Sequence, residues 1–333
     1  MSTQAHAADR RRPPLIAVVT LLTAILTVLL IAFAWPAARS GPRDLPLVVA
    51  GPPAAVQQVE AGLEQAMPGG FELTAVPDRE AAVQRIKDRD AYGAIVLNQA
   101  QPEVLTASAA GPAVAQILNQ LAGHISPQSP AKVTDVVPLP EDDPRGAGLA
   151  AGALPLVLGG LLAAGVLTQL VRPGAKRVVG ALGFAVAGGL ALAAVLQYWL
   201  GSFEGSYLGN AGVIALSIAA ISLTVLGLEW LMGTAGIALG GAVMMLLGNP
   251  LSGMTSAPEM LPSGWGALGQ LLPPGAAGTA LRSVSYFDGA GIGRPLAVLG
   301  GWLLLGVVIC GIGALRGRGR TESVRQEAPV MAA

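Results

Sequence analysis

The chain is poor in almost everything that polar chemistry needs. Only 12% of its 333 residues are charged, about half the share of a soluble domain. It has one cysteine, Cys310, and two histidines, His6 and His124. A lone cysteine forms no intramolecular disulfide, and two distant histidines without neighbouring cysteines do not make a metal site. Cys310 lies in an apolar run and reads as a small buried hydrophobe. No Gly-x-x-x-x-Gly-Lys-Ser/Thr loop occurs, so a nucleotide is not held by that route. Neither a nucleophile elbow nor a His–carboxylate pair at useful spacing is present, so the chain is read as a non-enzyme with no cofactor. Its net charge is zero, from 20 basic and 20 acidic residues. A nucleic-acid partner would need a basic stripe and is not expected.

What is abundant is small and apolar. Hydrophobic residues make up 53% of the chain, with 45 glycines, and mean hydropathy is +0.60. Glycine and alanine let transmembrane helices approach closely. Roughly 20 apolar residues span about 30 Å of hydrocarbon. Leu15 to Trp35, Leu149 to Val171, Val178 to Gly201, Ala211 to Leu228 and Leu296 to Leu315 are uncharged and qualify. A sixth run, Thr234 to about Met254, is interrupted by Asn249 and Pro250 and reads as a span with an irregular outer end. The first run is longer than a secretory signal core and reads as an anchor, although Ala32-Phe33-Ala34 resembles a cleavage site.

Basic residues orient the spans. Arg10, Arg11 and Arg12 precede the first; Arg172, Lys176 and Arg177 fill the loop after the second; Arg316, Arg318 and Arg320 follow the last. About six spans put all three clusters on one side, which the positive-inside rule makes cytoplasmic. Residues 1–14 and 317–333 are then cytoplasmic tails. The dominance of arginine over Lys87, Lys132 and Lys176, with the richness in Ala, Gly and Pro, points to a bacterial plasma membrane.

Residues 37–146 differ in kind. Leu45 to Ala50 suits a buried strand, and Val56, Val59, Leu63 and Ala66 share a helical face. Phe71, Leu73 and Ala75 alternate with polar residues, as on a half-buried strand. Asp78 can cap a helix that buries Ala82, Val83 and Ile86. Ala94 to Leu97, Glu103 to Ala107 and Lys132 to Leu139 read as strands, with a helix over Val114 to Ile125. The order β-α-β-α-β-β-α-β predicts a small α/β domain. The acidic run Glu141-Asp142-Asp143 reads as a solvated lead-in to the second span. The fold class is therefore an α-helical polytopic membrane protein of about six transmembrane helices with an inserted small α/β extracytoplasmic domain.

Three stretches carry a resemblance to a known family. They are Leu45-Pro-Leu-Val-Val with the Asp78-to-Ile86 helix and Tyr92-Gly-Ala-Ile-Val-Leu; Asp143-Pro-Arg-Gly-Ala-Gly before Leu154-Pro-Leu-Val-Leu-Gly-Gly; and Gly248-Asn-Pro-Leu-Ser-Gly, Glu259-Met-Leu-Pro262, Leu271-Leu-Pro-Pro274 and Ala280-Leu-Arg282. Together they resemble the permeases of ABC-2 type transporters, in the branch grouped with the phage-infection-protein (Pip) family. The resemblance implies an outer re-entrant hairpin over about residues 249–294, including Asn249, Pro250, Pro262, Pro273, Pro274 and Arg282. It also implies a homodimer in membrane lipid, a separate ABC ATPase, and export of a lipid-like or amphipathic substrate. Two departures stand against it. Gly51-Pro52-Pro53 replaces an Asp-rich turn, and the short N-terminal tail with Pro13-Pro14 lacks an amphipathic helix.

Two functional readings stay open. In the first, the chain is a permease subunit whose ATPase-facing loop holds Arg172, Lys176 and Arg177, with Glu229 as a gating or partner contact. The same loop residues also satisfy the positive-inside rule alone, and Glu229 also reads as a plain interfacial carboxylate. In the second, the chain is a membrane-anchored binding or scaffold protein, such as a surface receptor or secretion accessory, acting through its extracytoplasmic domain.

Overall fold

Twenty-four residues from Leu15 to Ala38 form the first helix, α1, long enough at about 1.5 Å per residue to cross a bilayer. The structure is a computed structural model and describes residues 14–97, 101–125 and 131–327; Arg10, Arg11 and Arg12 lie outside them. After α1 the chain builds the α/β unit: β1 (Leu45–Ala50), α2 (Pro53–Ala66), β2 (Phe71–Val76), α3 (Arg79–Lys87), β3 (Gly93–Val96), β4 (Glu103–Thr106), α4 (Pro112–Ile125) and β5 (Lys132–Asp135). The order matches the one expected, but β5 stops at Asp135 rather than Leu139.

The sheet runs β2-β1-β3-β4-β5. β1 is parallel to β2 and β3, β3 is antiparallel to β4, and β4 is parallel to β5. β1 is an interior strand, and Leu45, Leu47, Val48, Val49 and Ala50 are all buried, as a continuous apolar run on a covered strand should be. β2 is an edge strand whose Phe71 and Leu73 are half-buried between exposed Glu72 and Thr74, as its alternating sequence anticipates, whereas Ala75 is exposed. Asp78 caps α3 by accepting from the Ala81 amide at 2.8 Å.

The remaining chain is helical: α5 (Ala147–Leu170), α6 (Ala175–Ala194, continuing as a π-helical turn to Trp199), α7 (Tyr207–Met232), α8 (Thr234–Gly241, continuing as π-helix to Gly248), α9 (Trp265–Gln270), α10 (Pro273–Tyr286) and α11 (Gly293–Glu327). Among the described residues five helices are long and apolar enough to cross a membrane: α1, α5, α6 with its π turn, α7 and the apolar part of α11. Such a chain is consistent with a polytopic membrane protein. The sixth expected span is a correction: Thr234–Gly248 is a shorter apolar helix. Its chain then turns at Asn249 and Pro250, where the Ser252 hydroxyl donates to the Asn249 carbonyl at 2.7 Å.

α7 is the axle of the bundle. Of its span 78% is buried, against 0% for α1 and 17% for α11. Small residues bring its neighbours close. A Cβ at Gly189 of α6 would lie 2.5 Å from the Ala211 carbonyl oxygen, and one at Gly306 of α11 would lie 2.7 Å from the Thr224 amide. Exposed Leu, Ile and Val side chains cover α1 and the outer faces of α5, α6 and α11, the composition of a surface in contact with hydrocarbon.

The two ends of the bundle differ. Asp143 leads from the α/β unit into α5 and is buried, not solvated as expected. Its carboxylate accepts from the first two amides of α5, Ala147 and Gly148, each at 2.7 Å. Glu141 and Asp142 are exposed. The Tyr286 hydroxyl, at the end of α10, donates to the Ser202 carbonyl at 2.6 Å. The α6–α7 connection, the end of α10 and the α/β unit therefore share one end. The α5–α6 loop and the α7–α8 junction lie at the other, towards which α11 also runs.

Candidate functional site

The α/β unit is fastened to the helices at one junction. α3 closes with the Asp90 amide donating to the Arg85 carbonyl at 2.9 Å, the bond of a Schellman turn. The left-handed position of that turn, usually glycine, is Arg89, at φ 65°. The turn aims its side chain at α10. Nη1 donates to the Thr279 carbonyl at 2.8 Å and the Ser283 hydroxyl at 2.5 Å, and the guanidinium lies 5.2 Å from the Phe287 ring centroid. Burial lowers its pKa to about 10, so Arg89 is still a cation at neutral pH.

Three residues on, the Tyr92 hydroxyl donates to Glu259 Oε2 at 2.6 Å. Burial, and then the Glu259 charge, raise the Tyr92 pKa, so this phenol stays a donor. Arg43, in the linker before β1, donates to the carbonyls of Arg39, Gly41 and Met260 at 2.8, 3.0 and 3.3 Å. Its backbone amide bonds the Glu259 carbonyl at 3.0 Å. From the helical side, buried Arg282 donates to the carbonyls of Met254, Gly253 and Ser256 at 2.7, 3.3 and 3.3 Å. Residues 253–260 are thus gripped from both sides by arginines that spend their donors on backbone oxygens.

Between these parts lies a cavity of about 440 Å³, within the range of roughly 300–1,000 Å³ for small-molecule sites. Arg43, Arg89, Arg294, Asp44, Glu259 and Tyr92 provide its main polar lining, and Leu261, Pro262, Ala267 and Pro295 are among its apolar residues.

Below the cavity α9 and α10 form a hairpin. Pro273 and Pro274 open α10, where a missing amide costs nothing, and most of α10 is buried. The hairpin's turn is held from α11 by Trp302, whose indole donates to the Leu271 carbonyl at 2.8 Å. Trp302 lies nine residues after Gly293, the start of α11; at 1.5 Å each the turn sits roughly 14 Å down that helix.

At the opposite end, Arg177 and Glu229 come together. Arg177 Nη1 donates to Glu229 Oε2 at 3.0 Å, with Nε to the Val171 carbonyl at 2.7 Å and Nη2 to the Thr168 carbonyl at 2.8 Å. Their side chains are 5% and 16% exposed, so Arg177 ties α6 to α5 and α7 instead of facing outward. Arg172 and Lys176 are exposed.

Of the expected hairpin residues, Pro262 lines the cavity, Pro273 and Pro274 start α10, Arg282 grips the 253–256 turn, and Asn249 with Pro250 ends α8. Arg89, Arg43 and Arg294 were not singled out, because what brings them together is distant in sequence: Arg89 and Ser283 are 194 residues apart, and Arg43 and Met260 are 217 apart. The one local signal was a non-glycine residue where α3 needs a left-handed stop. No family model, curated protein or solved structure matches the chain.

Proposed function

We propose that the chain is the permease subunit of an ABC-2-like exporter in a bacterial plasma membrane, working as a homodimer with a separate ATPase that alone would hydrolyse ATP. The observation that carries this reading is the hairpin of α9 and α10. It enters and leaves at the end bearing the α/β unit, and its proline-led turn reaches about half of a 30 Å hydrocarbon depth. A half-depth hairpin under an external domain suits a gate, and the poverty of charge along the spans suits a lipid-like or amphipathic cargo. On this reading the α/β unit is extracytoplasmic and both termini are cytoplasmic, with Arg172 and Lys176 free for an ATPase.

One observation favours the second reading, a membrane-anchored binding or scaffold protein. The α5–α6 loop is short and Arg177 is consumed internally, which leaves little surface for a motor. Purification from native membranes in mild detergent separates the two. The permease reading expects an ATPase to co-purify and its hydrolysis to rise with an amphipathic substrate. Recovery of the chain with no ATP hydrolysis above background overturns it.

A further inference from the structure

The lining charges of the junction cavity do not balance. Arg43, Arg89 and Arg294 line it, and none of the three has an ion-pair partner among the described residues. Three acids also line it, but Asp90 is already bound to Arg85, outside the lining, at 2.9 Å. That leaves Asp44 and Glu259 against three guanidinium groups, an excess of one positive charge. Arg89 is only half-buried, yet two of its donor contacts go to α10 and none to a carboxylate. Arg43 and Arg89 are half-buried and Arg294 is exposed, so the three guanidinium groups converge on the cavity with a net positive field that favours an anion. The guanidinium fork is matched in geometry to phosphate oxygens.

We infer that the cavity between the α/β unit and the α9–α10 hairpin binds a phosphodiester, the monoanionic head group of a phospholipid-type amphiphile. A single negative charge matches the excess of one. A dianionic phosphate monoester would meet Asp44 and Glu259 in repulsion, whereas these two acids are acceptors for the hydroxyls of an uncharged polyol carried beside a phosphodiester. The apolar lining from Leu261, Pro262, Ala267 and Pro295 accommodates the glycerol and first methylenes. The Trp35–Trp265 ring pair, centroids 5.5 Å apart, stands on α1 and α9, the latter contributing Ala267 and Gln270 to the lining. Tryptophan favours the depth of the head groups. The site does not require transport, so it holds for a permease or a receptor alike.

The test uses the full-length protein in dodecyl maltoside, with binding followed by tryptophan fluorescence. The probes are dihexanoylphosphatidylglycerol, water-soluble glycerophosphoglycerol, inorganic phosphate and dioctanoylglycerol. Saturable binding of a phosphodiester probe, about tenfold tighter than inorganic phosphate or dioctanoylglycerol, is expected. If only the lipid probe saturates, the source is a membrane head group; if the soluble diester binds as well, the source is a free phosphodiester. Arg294 is exposed and has no hydrogen-bond partner among the described residues, so Arg294→Gln keeps the fold, checked by an unchanged Tm. It should weaken the lipid about tenfold, with Arg294→Lys recovering part of the loss. Equal affinity for dioctanoylglycerol, or no effect of Arg294→Gln, overturns the site. ATP plays no part in this readout, so loss of the permease reading leaves it standing, and the reverse holds too.

Discussion

At the residue scale, the most informative side chains are charges held away from water. Glu103 is 3% exposed and accepts from Arg79 Nε at 2.8 Å, Arg79 Nη2 at 3.2 Å and the Thr134 hydroxyl at 2.7 Å. The Arg79 bond, with Thr134 adding to it, overrides the cost of burial and holds the Glu103 carboxyl down at about 2. A carboxyl depressed in the folded state contributes stability above its unfolded value of about 4.3, and that contribution fades as pH falls through the folded value. Glu103→Gln should therefore destabilise the α/β unit by about 1–3 kcal/mol at neutral pH. The difference should shrink as pH falls from about 4 towards 2. Comparing protease susceptibility of the two proteins at each pH reads it, and a gap that is constant down to pH ~2 contradicts the assignment. None of this was legible in the sequence, where Glu103 is one of 20 acidic residues. A sequence shows charge but not the partner that folding brings. Asp143 teaches the same lesson: next to Glu141 and Asp142 it reads as solvent-facing, yet it caps α5.

At the element scale the sequence was far more informative, because apolar periodicity and helix stops act over short distances. Asp78 starts α3 as its position requires, and β1, β2 and β3 fall on the runs that predict them. Thr234–Gly248 is where this reading overreached. Its apolar run is long enough on paper, but Asn249 and Pro250 end the helix, and residues beyond it serve the hairpin instead. The glycines of the bundle split in a way that hydropathy cannot show. Gly189 abuts the α7 backbone, whereas Gly183, on the same helix, meets nothing within 4 Å. Gly189→Val should cost about 1–3 kcal/mol by forcing α6 off α7. Gly183→Val should be nearly neutral or slightly stabilising, since it removes a helical glycine. Thermal unfolding in detergent decides between them, and equal Tm values for the two variants would contradict the close approach of α6 and α7.

At the scale of the whole molecule, two ends with different chemistry define the protein. One end carries the α/β unit, the Arg89 and Tyr92 contacts, and the cavity above the hairpin. The other carries the Arg177–Glu229 ion pair with Arg172 and Lys176 exposed beside it. The loop of Arg172, Lys176 and Arg177 marked one of these ends in the sequence, while the fastening of the α/β unit onto α10 needed the folded chain. The most direct measurement is cysteine labelling of intact cells with a membrane-impermeant maleimide. Cys310 is buried and stays silent, so single cysteines replacing exposed residues report alone. Glu141→Cys, beside the α/β unit, should label at once, and Lys176→Cys should label only after the membrane is permeabilised. Labelling of both positions in intact cells, or of Lys176→Cys alone, would contradict the account.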